Sequence, residues 1–242
     1  MNRLALLTVI IIVSAIPAMG QNEVDGFVAR TYQRRPRETM PYRLFIPPGY
    51  KESDEHPLVL WLHGAGGIGD DNLRQIIDDQ VPGTRLWTKP ENLSRHPAFV
   101  LVPQSSARWP QVHLSMVLGI LDSLRSEFHI DPYRIYVIGQ SIGGEAAWRL
   151  VTDNPRMFAA AIFVCSIAAR PGRAASVVTL PVWAFQGSED RPGVSATRDM
   201  IKKIRKAGGN PRYTEYAGAG HEIWNRVFRE PDLVEWLFAQ HR

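Results

Sequence analysis

Ile135-Tyr136-Val137-Ile138-Gly139-Gln140-Ser141-Ile142-Gly143-Gly144-Glu145-Ala146-Ala147-Trp148-Arg149-Leu150-Val151 changes character at Gly139. The apolar run before it is what a strand buried on both faces of a parallel sheet requires, and the segment after it reads as a helix. A G-x-S-x-G pattern by itself is frequent by chance. At a strand-to-helix junction it gains a mechanical meaning. The turn is so tight that only glycines at 139 and 143 avoid clashes, and Ser141 stands at its tip. The helix that follows offers unpaired N–H groups and a positive dipole to a developing oxyanion. The stretch therefore predicts a nucleophilic serine on a rigid elbow.

The elements around it are of the same kind. Phe27–Tyr32 and Tyr42–Ile46 have no helix between them and read as an antiparallel start. Leu58–Leu62, Phe99–Val102, Ala161–Val164 and Val182–Phe185 are short continuous apolar runs, and a last strand is expected at Arg212–Tyr216. Leu114, Val117, Leu118, Leu121, Leu124 and Phe128 recur at helical spacing and form one apolar stripe. Ser195 is expected to cap a helix that runs to Lys206 and ends at Gly208-Gly209. Pro231 suits the first turn of a final helix carrying Leu233, Leu237 and Phe238. Strands alternating with helices predict an α/β protein with a mostly parallel central sheet and helices on both faces. No linker or low-complexity stretch divides the chain, so a single domain is expected.

A nucleophilic serine needs a base, and the base needs an orienting acid. On elbows of this kind the chain order is Ser, then Asp or Glu, then His. Only His221 and His241 follow Ser141, and His241 adjoins the last residue. His221 lies in Ala217-Gly218-Ala219-Gly220-His221, just past the last expected strand, and is the predicted base. The strand Val182–Phe185 runs into Gln186-Gly187-Ser188-Glu189-Asp190. Both Glu189 and Asp190 sit beyond a strand's C-terminal end, where open α/β sheets build their sites. Leu58–Leu62 runs into His63-Gly64-Ala65-Gly66-Gly67, the Gly-rich loop that supplies a second oxyanion donor. The backbone N–H groups of Ala65 and Ile142 are the predicted pair. His63 is read as a residue that holds this loop through hydrogen bonds rather than as a second base. No G-K-[ST] or G-x-G-x-x-G accompanies the loop, so a nucleotide is not expected.

Residues 1–20 are expected to be a signal peptide. Arg3 gives a positive start, Leu4–Ile16 is free of charge, and Pro17-Ala18-Met19-Gly20 places small residues at a cleavage site after Gly20. The apolar run is shorter than the roughly 20 residues that span a bilayer. This predicts a secreted or periplasmic protein, with residues 21–242 as the single domain and no stable membrane insertion after cleavage. The full chain has 242 residues and a net charge of +4, with 28 Lys and Arg against 24 Asp and Glu. The charges are spread along the chain. The basic clusters at Arg30/Arg34/Arg35/Arg37 and Lys202/Lys203/Arg205/Lys206 lack any nucleic-acid motif, so no nucleic-acid partner is expected. Cys165 is the only cysteine, which excludes an internal disulfide and a cysteine zinc site. It reads as a small hydrophobe in the core.

The chain resembles the exported carboxylesterases of the α/β-hydrolase superfamily, the group that includes phospholipase/carboxylesterase, polyhydroxybutyrate-depolymerase-like and feruloyl-esterase-like proteins. The resemblance is carried by Pro41-Tyr42-Arg43-Leu44-Phe45-Ile46-Pro47, Trp61-Leu62-His63-Gly64-Ala65-Gly66-Gly67, Val102-Pro103-Gln104 and Ile130-Asp131-Pro132-Tyr133-Arg134-Ile135-Tyr136. Gly208-Gly209-Asn210, Arg212-Tyr213-Thr214-Glu215-Tyr216 and His221-Glu222-Ile223-Trp224 extend it, so that it covers nearly all of residues 40–240 in order. It implies an α/β-hydrolase fold, selects Asp190 over Glu189 as the acid, and implies a serine esterase that needs neither cofactor nor metal. Two departures stand out. Gln186-Gly187 replaces the usual His-Gly before the acid loop, and Glu145 stands where a Tyr is common after the elbow.

The expected chemistry is hydrolysis of small-molecule or polymer esters, short-chain or aryl, through an acyl-enzyme on Ser141. Trp109 and Trp224 are candidate substrate-pocket residues, and Trp148 is a further candidate. Rival readings are testable on residues. A dehalogenase or epoxide hydrolase of this fold needs Asp as nucleophile and a dienelactone hydrolase Cys, whereas position 141 is Ser. A serine peptidase of prolyl-oligopeptidase type shares the triad but carries a gating domain for which there is no room. Only Ser166–Leu180 follows the strand where many relatives insert a cap, so no large cap is expected. A non-catalytic binding protein on this scaffold predicts a broken triad.

Overall fold

A computed structural model describes residues 23–191 and 193–242. The leader expected at residues 1–20 lies outside them. Nine strands form one sheet among the described residues: β1 (Glu23–Val24), β2 (Phe27–Arg35), β3 (Glu38–Phe45), β4 (His56–Leu62), β5 (Phe99–Pro103), β6 (Ile130–Gln140), β7 (Ala160–Val164), β8 (Val182–Gly187) and β9 (Arg212–Tyr216). Their spatial order is β1-β2-β3-β5-β4-β6-β7-β8-β9. The first three are antiparallel to their neighbours, and β5, β4, β6, β7, β8 and β9 are all parallel. The expected α/β architecture with an antiparallel start is what the chain forms.

Alternation along the strands builds two cores. Leu58, Leu60 and Leu62 of β4 point to one face, together with Val137, Phe163 and Ala184 of neighbouring strands. There they meet α3 (Gln111–Glu127), α4 (Ile142–Asp153) and α5 (Gly193–Lys206). Val59, Trp61, Ile138, Ile162 and Phe185 point to the other face. That face is covered by the segment of α1 (Val81–Arg85) and α2 (Pro90–Leu93), and by α6 (Trp224–Val227) and α7 (Leu233–Phe238). Burial on both faces is why these strands are apolar throughout rather than alternating. Trp148 of α4 is fully buried and stacks on Phe163, with ring centroids 3.5 Å apart; it is core packing. Cys165, also fully buried, follows the last residue of β7, and burial pushes its thiol pKa up.

Several boundaries differ from expectation. α5 starts at Gly193, so Ser195 lies inside its first turn and does not cap it. Its end agrees: Gly208 has φ +96°, and the N–H groups of Gly208 and Gly209 return to Arg205 and Ile204. β6 begins at Ile130 rather than Ile135, because Ile130 already pairs with His56 of β4, ahead of a register shift between His56 and Leu58. The β2–β3 hairpin is longer than its apolar runs, reaching a turn at Arg37 with φ +73° and a register shift between Gln33 and Arg35. The final helix begins at Leu233, two residues after Pro231. The connection from β7 to β8 carries one 3-10 helix, Pro171–Val177, as its only helical segment. No helix among the described residues is long and apolar enough to cross a membrane.

Candidate active site

The C-terminal ends of β4, β6, β8 and β9 converge on Ser141. Ser141 occupies the turn from β6 into α4 with φ +56° and ψ −115°, a conformation that costs a side-chain-bearing residue on the order of 1–3 kcal/mol. It is held there by its own N–H bonding to the Val164 carbonyl at 2.8 Å, and by its carbonyl accepting the Gly144 and Glu145 N–H groups. The flanking glycines are obligatory on steric grounds. A Cβ on Gly143 would stand 2.1 Å from the Leu62 carbonyl oxygen, and one on Gly139 would stand 2.1 Å from the Gly143 carbonyl oxygen. Both obstacles are backbone and cannot swing aside.

The three residues expected to act together do meet. Ser141 Oγ lies 2.8 Å from His221 Nε2. His221 Nδ1 lies 2.9 Å from Asp190 Oδ2, and that geometry puts the proton on Nδ1 and leaves Nε2 free to accept from the serine. Asp190 is 8% exposed and reaches the imidazole, whereas the Glu189 side chain is exposed and its backbone N–H bonds the Ala219 carbonyl. Asp190 also accepts a hydrogen bond from Gln186 Nε2 at 2.5 Å. The acid loop and the histidine loop lie backbone to backbone: a Cβ on Gly187 would be 2.1 Å from the Gly220 carbonyl oxygen. His241 is exposed and lies beside Asp131, at the opposite end of β6 from Ser141.

The His63–Gly67 loop adjoins the serine. A Cβ on Gly64 would stand 3.6 Å from Ser141 Cβ. Ala65 opens a 3-10 turn and Ile142 opens α4, so neither N–H has an acceptor within its own helix. His63 is fully buried; its Nε2 accepts the Ser105 N–H at 2.9 Å, which puts the proton on Nδ1 for donation to the Gly64 carbonyl at 2.7 Å. Burial pulls its pKa from 6.5 to about 4, so the ring is neutral at pH 7. The Gly64 N–H is pinned by Gln80 Oε1 at 3.0 Å.

Trp109, expected as a pocket wall, is 1% exposed. Its ring packs on His63 at 4.6 Å and its Nε1 donates to the His63 carbonyl at 3.1 Å. It braces the loop from below and offers no open face. Trp224 is half-buried and stands edge-on to His221 at 6.2 Å, so it borders the Ser141–His221–Asp190 cluster. Glu145 pairs with the exposed Arg108 at 2.7 Å. Gln80 and Ser105 were not singled out by sequence reading, and Gln186 was noted only as a departure from the family's usual His-Gly. For Gln186 a signal existed, an amide at the end of an otherwise apolar strand. Gln80 and Ser105 carry none: Gln80 accepts from a backbone N–H 16 residues away, and Ser105 reaches His63 through its backbone N–H, which any residue but proline would offer. Among the described residues, no group of three or more His, Cys, Asp or Glu side chains could hold a metal ion.

The profile of the dienelactone hydrolase family matches residues 103–230, over half of the chain. NocK of Nocardia uniformis subsp. tsuyamanensis, which carries an esterase name, is 29% identical over 160 residues, covering 63% of this chain and 45% of that protein. A solved structure of a thermostable esterase matches with a TM-score of 0.85 at 33% identity, over 90% of this chain and 64% of that one. A ferulic acid esterase structure matches with a TM-score of 0.66 at 15% identity, over 88% of this chain and 98% of that one; at that identity the likeness concerns the fold alone. The chain spans less than half the length of NocK and under two thirds of the thermostable esterase. The fold is that of the α/β-hydrolases.

Proposed function

Since the chain belongs to the dienelactone hydrolase family, we propose that it is a serine hydrolase of carboxylic esters, with Ser141 as nucleophile, His221 as base and Asp190 as the orienting acid. The observation that carries this reading is the unbroken hydrogen-bonded line from Ser141 Oγ through His221 to Asp190 Oδ2. The family name does not transfer as an activity, because a dienelactone hydrolase uses Cys where this chain has Ser141. His221 Nε2 takes the serine proton as Oγ attacks the ester carbonyl, and Asp190 holds the tautomer and stabilises the imidazolium. The Ala65 and Ile142 N–H groups hold the tetrahedral oxyanion; one such donor is typically worth about 10²–10³ in rate. His221 then protonates the leaving alcohol, and water attacks the acyl-serine by the same path in reverse.

Short-chain or aryl esters, free or in a polymer, are the proposed substrates, with Trp224 beside the alcohol or acyl group. The short β7–β8 connection supports an open site over a lidded lipase. Export to the periplasm or medium is proposed on the leader sequence alone. The test is Ser141→Ala assayed on p-nitrophenyl acetate and butyrate, with circular dichroism to confirm the fold. The proposal expects at least a 10³-fold loss of kcat/KM with an unchanged spectrum; a folded variant that keeps its activity overturns it.

A further inference from the structure

Asp190 receives two donors on one oxygen. His221 Nδ1 and Gln186 Nε2 both bond Oδ2, at 2.9 and 2.5 Å. Gln186 is fully buried at the end of β8, and its other amide atom is also engaged: Thr197 Oγ1 of α5 donates to Gln186 Oε1 at 3.2 Å. Thr197 is itself 1% exposed. The Asp190 carboxylate admits only a donor, so a flipped amide would set oxygen against oxygen, and the Thr197 hydroxyl meets the Oε1 end in the orientation that remains. The start of α5 closes on the contact from above, since a Cβ on Gly193 would lie 2.8 Å from Gln186 Nε2 and 3.4 Å from Asp190 Oδ2.

We infer that Gln186 is a positioning residue for the proposed triad, and that it acts through Asp190. A carboxylate turns about χ2 in a broad, two-fold well, so burial alone does not choose which oxygen or which lone pair faces the histidine. Gln186 occupies one lone pair of Oδ2 and leaves the other aimed at His221 Nδ1. An amide carries no titratable proton, so this donor persists across the working pH range. Thr197 is the anchor that keeps the donor end of the amide turned toward the acid.

The inference rests on the triad reading, and a double-mutant cycle separates the two. Four proteins are compared on p-nitrophenyl butyrate: wild type, Gln186→Met, Asp190→Asn and the double variant. Gln186→Met keeps length and removes the donor; kcat is expected to fall about 10- to 100-fold while KM stays within about two-fold, as for a group that tunes the acid–base pair. Gln186→Glu, which turns an acceptor toward the carboxylate, is expected to lose more. In the Asp190→Asn background, Gln186→Met is expected to cost less than two-fold further. An equal cost in both backgrounds means a merely structural role and overturns the inference, as does wild-type kcat in Gln186→Met. If Asp190→Asn itself retains wild-type activity, the triad reading fails; if it is inactive while Gln186→Met is untouched, only this inference fails. Should Gln186→Met not fold, Thr197→Val tests the same line: a several-fold loss of kcat at constant KM supports it, and unchanged kcat refutes it.

Discussion

Asp190 and Glu189 are adjacent carboxylates that chain position alone left equal. The loop geometry separates them, because one side chain turns inward to His221 and the other out to water. Asp190→Asn is expected to lower kcat about 10⁴-fold, whereas Glu189→Gln should change it less than about three-fold; steady-state kinetics on p-nitrophenyl esters decides, and the reverse ranking contradicts the assignment. His63 illustrates the opposite case, a histidine whose environment removes it from acid–base work. Its pKa of about 4 in the fold lies below its ordinary value near 6.5. Above pH 6.5 both folded and unfolded chains hold it neutral. As the pH falls from 6.5 towards 4 the unfolded chain binds a proton that the folded chain refuses, so stability is lost on acidification, by up to about 3 kcal/mol. His63→Asn should flatten the pH dependence of the urea midpoint between pH 7 and 4.5, and an unaltered slope would refute this.

At the scale of elements, the elbow is where sequence and structure coincide most closely. Gly143→Ala forces a methyl to 2.1 Å from the Leu62 carbonyl, so the variant should lose about 3 kcal/mol or more along with its activity; a variant that melts like wild type would contradict the packing. The elbow was legible because it joins two patterns of different period at a motif whose glycines have only one steric purpose. The strands were legible because burial on both faces makes them continuous apolar runs. Residues 68–98 were not: their 3-10 turns and the short helices α1 and α2 span too few residues to show a period, yet they deliver Ile76, Leu86 and Trp87 to the second core. Ser195 misled for a local reason, since a residue of good capping type lies two positions inside a helix whose start is fixed by the Asp190 loop, with the Val194 N–H bonded to the Asp190 carbonyl. Trp109 misled in another way. Side-chain type cannot tell a pocket wall from a brace under the His63–Gly67 loop.

At the scale of the molecule, the parallel strands end together, and Ser141, His221 and Asp190 of the proposed triad are gathered at that edge. The basic cluster on α5 is a solvated face, with Lys202, Lys203, Arg205 and Lys206 all exposed and Lys203 paired to Asp199. With only the 3-10 helix Pro171–Val177 between β7 and β8, the proposed esterase should show no interfacial activation: rates on p-nitrophenyl esters should decline as the acyl chain lengthens and should not jump where the substrate forms micelles. A panel of acyl lengths, feruloyl esters, polyester and peptides would rank the substrate classes. The central claim is that Ser141 forms the covalent acyl intermediate. Intact and peptide mass spectrometry after treatment with a serine-directed fluorophosphonate tests it most directly. The account predicts one adduct per chain, on Ser141, formed in step with loss of esterase activity and much more slowly in His221→Ala; an adduct on another residue, or full activity in the labelled protein, would contradict it.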